Sequence, residues 1–343
     1  MNREALFYNA LASSYASNYK ALGKTRAKHN SWESAWNAES SVNHKEWDPE
    51  KLAAELEQAH VQLIMQESSD YPALLKEIPW PPFGIYVKGS IVHNKEKTLA
   101  IVGTRKATES SRELAKKFAH ELASKGICII SGLAFGIDAA AHIGCLEAGG
   151  TTFAVLAQGL DSIYPRTHER LAEDILISGG ALVSEYPLGS PTLPYRFLER
   201  NRIVSGLSEG TLVLEAPEAS GSLATARFAM EQNREVFVLP GLATHPHFKG
   251  SHELIRNGAE LVTETVHILQ SLHMEEGTQN TQNLQFDSPE EKAIMEVIMN
   301  SGKSVSVDKI IELSKLRTHI VNQTLSLLLI KNAIKETGEG FSL

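Results

Sequence analysis

Cysteine is nearly absent from this chain: Cys128 and Cys145 are the only two in 343 residues. Neither sits in a CxxC pair, and two cysteines are too few for a disulfide scaffold or a cysteine-rich zinc module. Both have apolar neighbours and are expected to be buried, reduced thiols. Long apolar runs are missing too. No segment approaches the ~20 residues that cross a bilayer, and the opening Met1-Asn2-Arg3-Glu4-Ala5-Leu6-Phe7-Tyr8 lacks a signal-peptide core. A cytoplasmic protein with no membrane partner is expected. Basic charge is in deficit as well: 33 Lys and Arg stand against 41 Asp and Glu, a formal net charge of −8. Such a chain does not attract polyanions indiscriminately, so any nucleic-acid site has to be a local patch.

Several enzyme signatures are also missing. No GxGxxG follows the first strand-like run, which leaves nicotinamide and flavin binding without support. Gly23-Lys24-Thr25 and Gly302-Lys303-Ser304 lack the upstream glycine and preceding strand of a P-loop. Gly206-Leu207-Ser208-Glu209-Gly210 matches GxSxG, but a strand-like run follows where a nucleophile elbow needs a helix. His245, His247 and His252 are interrupted by Pro246 and Phe248 and have only Glu253 beside them, so no metal site is expected. Asp138 and His142, at i and i+4 on a helix, read as a structural pair. No catalytic residue and no cofactor are assigned.

What is present is alternation. Apolar runs of strand length occur at 98–103, 127–132, 151–157, 181–186, 211–216, 235–241 and 260–263, and helix-like stretches such as 110–124 and 222–232 separate most of them. This pattern predicts an α/β fold, an extended Rossmann-like, doubly wound and mostly parallel sheet covered on both faces. Upstream, Pro72, Pro79, Pro81 and Pro82 punctuate a lead-in, and 84–89 is expected to add an edge strand. Residues 1–64 read as a small N-terminal helical module, 65–274 as the Rossmann-like domain and 275–286, with Gly277, Thr278 and Gln279, as a linker. In 287–343, three helix-like segments precede an alternating 333–343, which predicts a C-terminal winged-helix-like domain.

Three small-residue turns stand between strand-like and helix-like stretches: Gly103-Thr104-Arg105, the run from Ser131 and Gly132 to Phe135 and Gly136, and Ser220-Gly221-Ser222. Strand C-termini in a parallel sheet share one edge, and helix N-termini there offer unpaired N–H groups and a positive dipole end to phosphates. Arg105 follows its turn directly and has the planar fork suited to bidentate phosphate contact; the alternative is a surface arginine paired with Glu109. A second cluster, Tyr195-Arg196-Phe197-Leu198-Glu199-Arg200-Asn201-Arg202, puts three arginines and two rings into eight residues. Cations for the backbone beside rings for unstacked bases suit a single strand. The alternative is a helix with a solvated face and Phe197 in the core.

Ile101-Val102-Gly103-Thr104-Arg105, Ser131-Gly132-Leu133-Ala134-Phe135-Gly136-Ile137-Asp138, Tyr164-Pro165, Ser184-Glu185-Tyr186-Pro187, Arg200-Asn201-Arg202-Ile203, Ser220-Gly221-Ser222-Leu223 and Leu239-Pro240-Gly241 follow one another in this order. The run, spanning about residues 65–265, strongly resembles the DNA-processing A family, DprA or Smf. The resemblance implies a non-enzymatic homodimer that binds single-stranded DNA, protects it during natural transformation and helps to load the RecA recombinase. It also implies a groove containing Arg105, Ser131, Gly132, Phe197, Arg200, Asn201, Arg202 and the turn from Ser220 to Ser222; Gly103, Thr104, Phe135 and Arg196 complete the expected set. Departures from the family's usual pattern include Phe135, Ala157, Leu198 and His252. Two other readings stay open: an enzyme or sensor of a small nucleotide on the same fold, with Asp138, Glu185 and Glu215 as possible acids, and a transcriptional regulator acting through residues 318–332.

Overall fold

Each apolar run of strand length becomes one strand of a nine-stranded sheet. The computed structural model describes residues 1–39, 42–91, 97–273, 288–301, 305–330, 334–337 and 340–342. The expected linker, 275–286, lies outside them. The chain forms two units, Met1–Glu275 and Glu276–Leu343.

In the first unit, helices α1 (Arg3–Ser14), α2 (Tyr19–Lys28), α3 (Trp32–Ala38) and α4 (Pro49–Gln58) precede the strands. Side-chain caps start all four: Asn2, Asn18, Ser31 and Asp48 each accept from a backbone N–H of the first turn. Tyr8, Trp32 and Phe83 pack edge to face around the buried Leu11 and Leu22 and tie the helices to the sheet.

The sheet and its helices follow as β1 (Val61–Met65), α5 (Ala73–Lys76), β2 (Gly84–Gly89), β3 (Thr98–Val102), α6 (Glu109–Ser124), β4 (Cys128–Ser131), α7 (Ile137–Glu147), β5 (Thr152–Leu156), α8 (Glu169–Ile177), β6 (Ala181–Ser184), α9 (Pro194–Gly206), β7 (Gly210–Val213), α10 (Gly221–Glu231), β8 (Glu235–Val238), α11 (Lys249–Arg256), β9 (Glu260–Leu261) and α12 (Thr265–Ser271). Strand order is β1-β2-β6-β5-β4-β3-β7-β8-β9. All pairs from β6 to β9 are parallel, whereas β2 runs antiparallel to both β1 and β6. Residues 84–89 were expected at an edge, but β1 covers them, so β2 is internal and the boundary expected after residue 64 falls inside a strand.

Strands β3 to β7 are buried throughout, as a sheet with helices on both faces requires. Ala100, Ile130, Val155 and Val183 enter one core and Leu99, Ile101, Ile129 and Leu212 the opposite one. Each of these Leu, Ile and Val side chains is worth roughly 1.5–3 kcal/mol over its exposed state. Chain order leads from β3 toward β6 on one side and from β7 toward β9 on the other. The strand order reverses between β3 and β7, and the C-terminal ends there form the crevice where α/β sheets take ligands.

The second unit carries α13 (Pro289–Ser301), α14 (Val307–Ser314), α15 (Thr318–Ile330) and a hairpin of β10 (Lys335–Thr337) and β11 (Gly340–Ser342). Val305 bridges to Phe341, and Ile294, Ile298, Ile310, Val321, Leu325 and Phe341 form its own core. No helix among the described residues is long and apolar enough to cross a membrane.

Candidate nucleic-acid interface

The crevice between β3 and β7 is closed from below by Glu215, whose side chain is fully buried. Thr104 N donates to Glu215 O at 2.9 Å, joining the two strand ends. The Glu215 carboxylate accepts from Thr108 N and Thr108 Oγ1, both at 2.8 Å, and from His247 Nδ1 at 2.5 Å. Burial would raise its pKa, but bonds from Ser111, Thr108 and His247 outweigh that and hold it below the ordinary 4.5. Glu215 therefore fixes the start of α6, where Thr108 is the N-cap, and has no proton to trade near neutrality.

The second turn, after β4, is closed from inside. Asp138 Oδ2 accepts from Gly132 N at 3.1 Å and Ala134 N at 3.4 Å. Burial pushes this carboxyl above its ordinary range, against the pull of Arg200 and the two amides. The expectation that these amides await a phosphate is thus corrected: a carboxylate of the chain itself already occupies them. Leu133 takes a left-handed φ of 56° and Gly136 one of 79°, which turns Phe135 outward to 45% exposure. Asp138 and His142 do not pair with each other. Thr152 Oγ1 donates to Ile129 O, so it accepts from His142 Nδ1 at 2.7 Å. Burial lowers the His142 pKa to about 3, and the ring is neutral. Burial likewise pushes the Cys145 thiol up to about 12, away from the thiolate that a nucleophile needs, and Cys128 is buried as expected.

Helix α9 separates the second cluster by face. Positions 196 and 200 share a stripe with the core residues Ile203 and Leu207, while 197 and 201 share the adjacent one. Arg196 is buried, donates to Pro191 O at 2.8 Å and Ala16 O at 3.0 Å, and lies 4.3 Å from the Tyr186 ring centroid. Arg200 donates to Gly132 O at 2.7 Å and to Val155 O; burial lowers its pKa to about 10. Arg202 reaches both carboxylate oxygens of Glu185 at 2.6 Å. These three arginines were expected in a groove. They instead bind backbone oxygens and a buried carboxylate: Arg200, on the stripe that faces the sheet, satisfies carbonyls at the ends of β4 and β5, Arg196 satisfies those of Pro191 and Ala16, and Arg202, on another face of the helix, pairs with Glu185. Gly132 is glycine for the same reason: a Cβ would stand 2.3 Å from Arg200 Nη1.

The outward half of the cluster stays at the surface and meets the turns. Arg105 Cζ lies 4.9 Å from the Phe197 ring centroid, an exposed cation over an aromatic face. Glu109 pairs with Arg112 instead. Asn201 Nδ2 donates to Gly221 O at 3.1 Å, and Ser220 Oγ caps α10 through Ser222 N at 3.3 Å. Gly103, Thr104, Arg105, Phe197, Asn201, Ser220 and Gly221 are thereby gathered at one edge, whereas Ser131 is buried and donates to Ile101 O. Sequence reasoning passed over the roles of Tyr164, whose ring centroid is 5.6 Å from that of Phe197, and of His168, 4.9 Å from Phe135. Their signal was the Tyr164-Pro165 step after β5, at the same sheet edge.

A model of the family described as DNA recombination-mediator protein A matches residues 62–273. Protein Smf of Escherichia coli K12 is 43% identical over 267 residues, 75% of this chain and 70% of that protein. DNA processing protein DprA of Bacillus subtilis is 40% identical over 225 residues, 65% of this chain and 75% of that one. Among solved structures, DNA processing protein A of Streptococcus pneumoniae superposes with a TM-score of 0.65 at 31% identity, covering 79% of this chain and 98% of the other. The Helicobacter pylori protein, solved for its single-stranded DNA binding mode, gives 0.55 at 29% identity, covering 63% and 98%. The nine-stranded sheet, the ordered turns at its edge and the match over residues 62–273 together make this chain a member of the DNA recombination-mediator protein A family.

Proposed function

We propose that this protein binds single-stranded DNA without sequence preference, as a non-enzymatic cytoplasmic homodimer that shields incoming strands during natural transformation and helps to load the RecA recombinase onto them. The observation that carries the reading is the exposed Arg105 guanidinium over Phe197 at the switch point between β3 and β7. A cation for phosphate and a ring for a base stand side by side, tied through Asn201 to the third turn. Lys106 and Arg166, both exposed beside this edge in sequence, supply the further cations that the buried arginines do not. Two copies would hold one strand at two places and gain effective concentration. The C-terminal unit is assigned as a winged-helix-like module; with His319, Asn322 and Gln323 on α15 it is suited to a protein contact as much as to duplex DNA.

The small-nucleotide reading draws less support. Asp138 holds turn amides that a pyrophosphate would need, and Arg202 and His247 engage Glu185 and Glu215. Binding of labelled oligothymidylate and of its duplex by wild type and Arg105→Ala, at two salt concentrations, tests the choice. Tight, salt-sensitive, single-strand-preferring binding is expected, with a loss of roughly tenfold or more in the variant, the value of a charge-assisted contact, and a shallower salt slope. Mononucleotides competing as well as the strand would overturn the proposal.

A further inference from the structure

Aromatic rings are scarce in this chain, at 7% of residues, and most are spent in the core. Among the described residues, Trp80, Phe135, Tyr164 and Tyr195 are the strongly exposed ones, and all but Trp80 belong to the segments at the C-terminal sheet edge. Two of the rings that meet there come from one short stretch between β5 and α8. Tyr164, 46% exposed, lies against Phe197 of α9 at a 58° tilt. His168, four residues on, lies edge to face with Phe135 of the β4–α7 turn at 68°. His168 Nδ1 also donates to Leu133 O at 2.8 Å. Leu133 is the residue held at positive φ, so the histidine braces the turn that carries Phe135 outward.

Single exposed rings are ordinary on a protein surface, but Phe135, Tyr164 and Tyr195 all follow strand C-termini at one sheet edge, and two of them are held in ring contacts, which leaves a set of faces open to a planar partner. Arg105 beside Phe197 sets the charge of that partner as negative. We propose that the β5–α8 segment is a DNA-contacting element: Tyr164 stacks a base next to the one on Phe197, and His168 is a positioning residue that holds Phe135 for a further base. The occupant is an unpaired polynucleotide whose bases are taken by their faces, with the backbone toward Arg105. This inference rests on the single-strand reading proposed above.

The test compares a thymidylate oligomer with an abasic oligomer of the same phosphate count, by fluorescence anisotropy, for wild type, Tyr164→Ala, Tyr164→Phe, His168→Ala and His168→Asn. Tyr164→Ala is expected to lose roughly tenfold or more in affinity for the thymidylate strand, the loss of one stacked base, with abasic binding unchanged. Tyr164→Phe keeps the ring and the affinity. His168→Ala is expected to weaken thymidylate binding only while Phe135 is present, so that adding Phe135→Ala costs nothing more. His168→Asn keeps a donor for Leu133 O and restores part of the loss. Wild-type thymidylate binding combined with unaltered affinity in Tyr164→Ala and His168→Ala overturns the inference and leaves the single-strand reading standing. Equal loss on both oligomers overturns it too, since the contact would then be to phosphate or to the fold. Absence of wild-type binding to either strand removes the reading and the inference together.

Discussion

Arg202 and Glu185 sit beneath Tyr19, whose ring centroid is 5.7 Å from the guanidinium carbon, with both side chains about 5% exposed. Burial works against the charged guanidinium, but the Glu185 carboxylate more than compensates and raises its pKa. Truncating one partner strands the other, at about 3–5 kcal/mol. Arg202→Leu is therefore expected to lower the urea midpoint sharply, and a paired Glu185→Leu to recover most of the loss. An Arg202→Leu variant of wild-type stability that no longer bound DNA would restore this arginine to the groove. Glu215 makes a second residue-scale prediction. Its folded pKa lies below the ordinary 4.5, so the folded state holds fewer protons and the carboxylate stabilises the protein fully above that value. The contribution is lost as pH falls through the folded value. Thermal melts from pH 6 to pH 3 should show a steeper acid loss for wild type than for Glu215→Gln, which is less stable at pH 6.

At the scale of elements, α6 and α7 approach until Gly144 meets the backbone of Lys116; a Cβ at Gly144 would stand 2.1 Å from Lys116 O. No rotamer relieves a clash with backbone, so Gly144→Ala is expected to cost roughly 1–3 kcal/mol, the range of overpacked sites, read from denaturant unfolding. Circular dichroism of the helices should persist. Helix α9 shows how far pattern alone carries. Its start has a local physical reason in Pro194 at the first helical turn. Which of its residues face outward follows from the stripe shared by positions 196, 200, 203 and 207, and in sequence that stripe is masked by two arginines standing where apolar residues are usual. Composition marked the whole cluster as basic. The sheet beneath it sorted the arginines from Phe197 and Asn201.

For the whole molecule, the residues of the candidate interface all lie in the unit Met1–Glu275, which has cores separate from that of Glu276–Leu343. A chain ending at Glu275 is expected to fold and to bind oligothymidylate with an affinity comparable to the full chain; a loss of folding or of binding on removing the second unit would contradict this. The alternation of strands and helices from β3 to β9 and the placing of glycine turns at strand ends were legible in the sequence because each depends on a few neighbouring residues: side-chain periodicity, caps and breakers act locally. The ordered motifs likewise marked the family before any coordinates. Only the tertiary structure decided that Asp138 fills the second turn, that Glu185 and Glu215 find partners 17 and 107 residues away, and that Tyr164 and His168 join Phe197 and Phe135. Those pairings are set by which faces of the elements meet across the sheet edge, and no local stretch of sequence contains that information.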